Sequence, residues 1–249
     1  MTAGWTRWIL EQFEFPFERV FAPVLDKGNL NEKFDVLVFV DGAIPGAGGG
    51  RRGGGGGAAQ NDSVIPYLPA EYRDQVGRMT IDKTLPRIRE FIERGGTVIT
   101  IGSSATNLAA FLKLPIESHL VENGAPLPRT KFYVPGSVLS SKVDVTNPIA
   151  FGMSEHVDMF FDDSPVFRLT SGDGVKPIAW FDSKTPLRSG WAWGQSYLDG
   201  GVTAVEAHVG KGKVLLFGPE ILQRAQPHGT FKFLFNGIYS SVIDTKLTP

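Results

Sequence analysis

The residues best able to do chemistry lie where the backbone changes direction abruptly. An apolar run, Thr97-Val98-Ile99-Thr100-Ile101-Gly102, opens into Ser103-Ser104-Ala105-Thr106-Asn107 and a helical stretch. A strand, tight turn and helix in this order thrust one side chain out at the carboxyl end of a central strand. The helix behind it offers backbone N–H groups to a developing oxyanion. Ser103 and Ser104 are the hydroxyls on offer there, and the chain has no cysteine, which removes thiolate nucleophiles, thiolate metal sites and disulfides together. A serine needs a base, and four histidines exist: His119, His156, His208 and His228. His208 falls in a predicted strand, where a satisfied or edge-facing sheet residue is the plainer reading; His119 and His156 fall in loops. No two share a short ligand spacing, and neither His-x-x-Glu nor His-Glu-x-x-His occurs, so no metal site is expected.

The elements that would position these groups read as an α/β chain. Val36-Leu37-Val38-Phe39-Val40 is an unbroken apolar run, the mark of a parallel strand covered on both faces. It ends at Asp41-Gly42, which puts Asp41 where open α/β sheets bind ligands, although a turn aspartate is the blander reading. Gly4–Phe13 reads as an amphipathic helix with Trp5, Trp8, Ile9, Gln12 and Phe13 on one face, and Phe15–Phe21 as a strand. Leu85, Ile88, Phe91 and Ile92 mark a second helix, with Thr84 as its cap and Gly95 as its terminator. A further helix is expected over Asn107–Leu112.

Leu114–Pro135 looks irregular. Strands are then expected over Ser137–Val143, Met159–Leu169 and Pro177–Phe181. Val202–His208 and Lys213–Phe217 follow as a hairpin turning at Gly210–Gly212, before a last helix over Thr230–Val242. Trp180-Phe181 and Trp191-Ala192-Trp193 could stack on sugar or peptide ligands, but buried core aromatics are the favoured reading. Ser189-Gly190-Trp191 reads as a turn exposing one tryptophan.

The 249 residues suit a single domain. Residues 43–62 form a glycine-rich insertion, with Gly48–Gly50 and Gly53–Gly57 around Arg51-Arg52. Such runs lack apolar anchors to offset the entropy of ordering, so flexibility is expected. They also lack the offsets and the Lys-Ser/Thr pair of a phosphate loop. A formal net charge of −1 supplies no basic excess for nucleic acid. No run is apolar and long enough to span a bilayer, and the amino-terminal residues do not read as a signal peptide. No cofactor motif is found.

The element order resembles the class I glutamine amidotransferase-like fold, a flavodoxin-like three-layer α/β sandwich with a mostly parallel sheet. That resemblance implies a cysteine at the elbow and a His-Pro-Glu segment after a late strand. Here the elbow offers Ser103 or Ser104, and the late strand is followed by Gly218-Pro219-Glu220. Glycine would stand where the base belongs, with Glu220 left in the orienting place. His228, near that segment, is the one histidine that could rebuild a Ser–His–Glu hydrolase.

Particular words narrow the match: Gly4-Trp5-Thr6-Arg7-Trp8, Phe15-Pro16-Phe17, Asn147-Pro148-Ile149-Ala150-Phe151-Gly152-Met153, and Gln223-Arg224-Ala225-Gln226-Pro227. They look like the amidotransferase-like region following the catalytic domain in large bacterial M14-type zinc carboxypeptidases. The resemblance implies a non-catalytic accessory domain, with an upstream zinc-peptidase domain as partner in the same or a neighbouring polypeptide. It also implies a periplasmic or secreted setting. A strand usually precedes Gly-Trp-Thr-Arg-Trp in that family, so exposed apolar surface or an open sheet edge is expected near residues 1–10. A third reading is a peptide or glycan site in the relic pocket near Asp41, Gly102 and Arg224.

Overall fold

The computed structural model describes residues 1–46, 67–73 and 75–247, and for 242–247 the backbone alone. In chain order, α1 (Thr2–Gln12) and α2 (Ala22–Lys27) precede β1 (Val36–Phe39), α3 (Ala70–Arg73) and α4 (Thr84–Glu93). The elbow strand β2 (Thr97–Ile101) runs straight into α5 (Ser103–Leu112). Short strands β3 (Ile116–Ser118), β4 (Val121–Glu122) and β5 (Ala125–Pro126) lead to β6 (Ser137–Val143) and β7 (His156–Phe161). Then come β8 (Phe167–Leu169), β9 (Val175–Trp180), β10 (Leu187–Ser189), β11 (Val202–Val209), β12 (Gly212–Phe217) and α6 (Phe231–Leu247).

The central sheet runs β1-β2-β12-β11-β9-β6-β10. Its first three strands are parallel, Val38 opposite Ile99 and Ile99 opposite Leu215, and from β11 onward every pairing is antiparallel. β2 is buried at all five positions because helices cover both its faces. On one face α2, α4 and α5 bring Leu25, Leu85, Ile88, Phe91, Ile92 and Leu108 into one core. On the other, α1 and α6 bring Ile9, Leu10, Phe231, Phe233 and Leu234 into a second. Three layers result, as expected, but the sheet is mixed rather than mostly parallel: among the described residues only β1-β2 and β2-β12 pair in parallel, because the β-rich second half of the chain returns by antiparallel connections. A third cluster of Phe132, Val134, Leu139, Phe161, Val166, Phe181 and Leu198 packs the antiparallel end.

Several boundaries differ from the reading of the sequence. Phe15–Phe21 is not a strand: it is irregular chain leading into α2, and its ring at Phe15 stacks on Phe235, 5.0 Å between centroids. In α1 the buried residues are Thr6, Ile9 and Leu10, so the face is rotated from the expected one and Trp8 stays 44% exposed. Trp5 and Trp8 meet each other edge to face instead. Met1, Phe13 and Phe17 are also exposed.

Thr84 opens α4 from inside its first turn, donating to Asp26 (2.7 Å) and accepting from the Thr80 N–H (3.0 Å). Met159–Leu169 divides into β7 and β8, and the irregular 114–135 stretch contains β3, β4 and β5. The glycine-rich tract from 47 to 62 lies outside the described residues. Before it, Ile44 is buried and its carbonyl accepts from the Asn107 amide (2.8 Å).

Candidate functional site

Three chain segments meet at the carboxyl ends of the parallel strands: Asp41 after β1, Gly102-Ser103-Ser104 after β2, and Gly218-Pro219-Glu220 after β12. The elbow conformation belongs to Gly102. With φ 62° and ψ −136° it occupies a region open in practice only to glycine, and its N–H donates to the Phe217 carbonyl (2.8 Å). A Cβ there would stand 2.4 Å from Asp41 Oδ1 and 2.8 Å from Asp41 Cβ. Where a nucleophile elbow projects its reactive side chain, this chain has none.

Ser103 and Ser104 are therefore not at the elbow but in the first turn of α5, which begins four residues earlier than the apolar pattern implied. Ser103 Oγ donates to Asp41 Oδ1 (2.6 Å) and accepts from the Gly42 N–H (3.0 Å). Ser104 is fully buried; its hydroxyl donates to the Val40 carbonyl (2.6 Å) and accepts from the N–H groups of Ala43 and Ile44 (3.0 Å each). Both hydroxyls staple the loop after β1 to α5.

Asp41 sits where the ligand-site reading placed it, but its carboxylate serves the protein. Oδ1 accepts from the Ser103 backbone N–H (2.8 Å) at the amino end of α5. Exposed N–H groups and the helix dipole make that end the natural seat of an anion. The chain fills it with its own side chain.

At Gly218 a Cβ would lie 2.1 Å from the Pro165 carbonyl oxygen, so main chain occupies the volume a histidine would need. Glu220 is held after β12 by a bridge to Phe160, and Oε1 accepts from the Leu222 N–H (3.3 Å). Its Oε2 is buried without a hydrogen-bond partner. Burial pushes this carboxyl up to about 7; the Leu222 N–H opposes the rise, and the charge on Asp41 adds to it.

The histidines are engaged elsewhere. His228 is exposed and lies against the Phe231 ring, 5.3 Å between centroids. His119 faces the Asp199 carbonyl (3.2 Å), His156 faces Asp182 (3.1 Å), and His208 lies 3.6 Å from Glu206. Arg224 is exposed in a left-handed conformation (φ 48°), and the partner that Glu220 Oε2 lacks is not supplied by it. A surface cleft of about 580 Å³ is lined by Ser140, Met153, His156, Asp158, Arg188 and Lys232 among others, and by none of Asp41, Gly102, Glu220 or Arg224. Among the described residues no group of three or more His, Asp or Glu is placed to hold a metal ion. No described helix is long and apolar enough to cross a membrane.

No family model matches this chain, and no curated protein matches it. Solved structures do share its fold. A protein of Thermoplasma acidophilum, provisionally described as a GMP synthase subunit, superposes with a TM-score of 0.54 at 11% identity over 96% of this chain and 87% of that one. A cytoplasmic protein from Salmonella typhimurium superposes with a TM-score of 0.50 at 12% identity, over 96% and 86%. The fold is a mixed α/β fold of the class I glutamine amidotransferase-like kind. At these identities the likeness is one of architecture.

Proposed function

We propose that this chain is a non-catalytic amidotransferase-like module, the accessory domain of an M14-type zinc-carboxypeptidase polypeptide. Its role there is docking, substrate presentation or stabilisation. One observation carries the non-catalytic part: the elbow position is Gly102, with no side chain to attack anything. Two more support it. The volume beside Gly218 holds the Pro165 carbonyl, and the helix end that would stabilise an oxyanion holds Asp41. A serine hydroxyl bonded to a carboxylate and a backbone amide, with no imidazole beside it, lacks the base that activates such nucleophiles. The peptidase context rests on the sequence words around Gly4–Trp8 and Gln223–Pro227.

The test has two arms. Purified chain incubated with glutamine and with a fluorophosphonate probe should release no ammonia and take up no label. Stoichiometric labelling abolished by Ser103→Ala or Ser104→Ala would restore a hydrolase. For the partner, the open frame upstream should encode a His-x-x-Glu zinc domain that co-elutes with this chain when the two are co-expressed. A neighbouring frame without such a domain, or separate elution, overturns that part alone.

A second reading, a small-ligand site in the relic, is favoured by Glu220 Oε2, a buried acceptor with nothing bonded to it. A ligand there would bring an N–H or O–H donor. A melting shift with small peptides or glycans, absent in Glu220→Gln, is the signature to look for.

A further inference from the structure

Away from the strand ends just described, the antiparallel end of the sheet displays a set of rings that the core does not absorb. Trp191 is 53% exposed, Trp193 54% and Tyr197 38%. The turn at Ser189–Trp191 is expected to expose one tryptophan, and both tryptophans depart from the favoured core reading. Tyr133 and Trp193 exchange backbone hydrogen bonds (3.0 and 2.9 Å) as an isolated antiparallel bridge, so their side chains stand on one face. Trp191, two residues back, reaches the Tyr133 ring edge to face at 5.9 Å.

The display is rigidly built. Ser137 Oγ donates to the Trp191 carbonyl (2.6 Å) and accepts from the Trp191 N–H (2.9 Å), clamping that residue at both ends. The Trp193 indole N–H donates to the Thr130 carbonyl (2.8 Å), which fixes its ring. Gly194, at φ 69°, brings the loop so close to Lys131 that a Cβ would fall 1.9 Å from its carbonyl oxygen. Beneath lies the cluster of Phe132, Phe161, Phe181 and Leu198.

Exposed tryptophans whose backbone groups are bonded, with the Trp193 indole N–H bonded as well, are pre-organised for contact, with little freedom left to lose on binding. The charges around them identify the contact. Arg129 covers the Tyr133 ring at 4.5 Å and pairs with Asp163 (3.1 Å), and Lys131 pairs with Glu122. Each cation is matched by a carboxylate, so the patch has no excess charge to attract a phosphate or an acidic chain. Matched pairs provide donors and acceptors side by side. Vicinal hydroxyls of a sugar use both. An extended proline-rich peptide presents carbonyl acceptors and leaves the carboxylates idle.

We infer that Tyr133, Trp191 and Trp193, flanked by the Arg129–Asp163 and Lys131–Glu122 pairs, form a platform for a neutral β-1,4-linked pyranose oligosaccharide. In such a chain of gluco-configured units the ring substituents are equatorial, and both faces present axial C–H groups to an aromatic ring. The hydroxyls then radiate in the ring plane toward the two ion pairs.

The experiment is calorimetric titration of the full chain with cellohexaose and with chitohexaose, and decaproline as the competing chemistry. Saturable binding of at least one oligosaccharide in the micromolar to millimolar range is expected. Trp191→Ala and Trp193→Ala should each weaken it about tenfold. Trp193→Phe, which keeps a ring, should retain most of it and guards against a folding defect in the alanine variant. Failure of both sugars to bind at about 10 mM overturns the proposal. So does binding that Trp191→Ala leaves unchanged, or tight binding of decaproline in their place.

Discussion

Asp41 Oδ1 accepts two hydrogen bonds from one residue, the backbone N–H of Ser103 at 2.8 Å and its hydroxyl at 2.6 Å. A carboxylate on the loop after β1 thereby caps a helix that follows β2, tying two parallel strands together across their carboxyl ends. The helix end is satisfied internally and presents less to any outside anion.

Removing that cap has a calculable cost. Asp41→Ala should destabilise the fold by about 1–2 kcal/mol, the usual range for losing a charged side-chain cap, read as a lower urea midpoint with unchanged slope. Asp41→Asn, which keeps an acceptor oxygen, should cost less. An Asp41→Ala variant as stable as the parent would refute the capping role.

Glu220 makes stability depend on pH. Its carboxyl rises from 4.5 to about 7 on folding, so between those values the folded state binds more protons than the unfolded one. Stability from this group is therefore fully present below about 4.5 and declines as pH rises toward 7, by roughly 3 kcal/mol at most. Glu220→Gln should match the parent near pH 5 and exceed it near pH 8. Parallel urea curves for parent and variant at both pH values would contradict the assignment.

Ser104 is a structural hydroxyl. Ser104→Ala leaves the Ile44 N–H without its acceptor inside the core, whereas Ala43 keeps its bond to the Val40 carbonyl. A loss of about 1–3 kcal/mol is expected. Faster amide exchange at Ile44, ahead of global unfolding, would locate the effect; unchanged exchange there would argue against it.

Rebuilding a triad by substitution should fail. Gly102→Cys places a Cβ at φ 62° against Asp41, and strain of this kind costs about 1–3 kcal/mol before the cap is counted. Combined with Gly218→His, it should give a poorly folded chain with no glutaminase activity. Measurable glutamine hydrolysis by the folded double variant would show that the site is far more plastic than its packing.

How much of this the residues alone disclose depends on the range of the forces involved. The unbroken apolar run over 36–40 identifies a parallel strand, because a strand flanked by helices needs no polar alternation, and the mainly apolar 97–101 marks the strand it pairs with. The Val209–Gly212 turn likewise announces its hairpin. Phe15–Phe21 misleads: its apolar residues suit a strand, yet among the described residues no strand pairs with it, and ladder bonds are what make one. Ser103 and Ser104 draw the eye one or two residues past the elbow, because serines look like chemistry and Gly102 does not. A glycine between a buried strand and a helix is the signal that marks the true position. Asp41 and Ser103 lie 62 residues apart, and Pro165 lies far from Gly218 in sequence; no local pattern encodes such meetings. Glu220's lone buried oxygen is likewise a product of tertiary packing.

The place of β12 governs how this chain can be made. It lies between β2 and β11, and Thr100 on β2 donates its hydroxyl to the Leu215 carbonyl across 115 residues of sequence. On a nascent chain leaving the ribosome β1 and β2 can pair with each other, but the second edge of β2 has no strand to pair with until residues 212–217 have emerged. Closure of loops this long slows folding and leaves the apolar edge of β2 uncovered until the penultimate segment is synthesised.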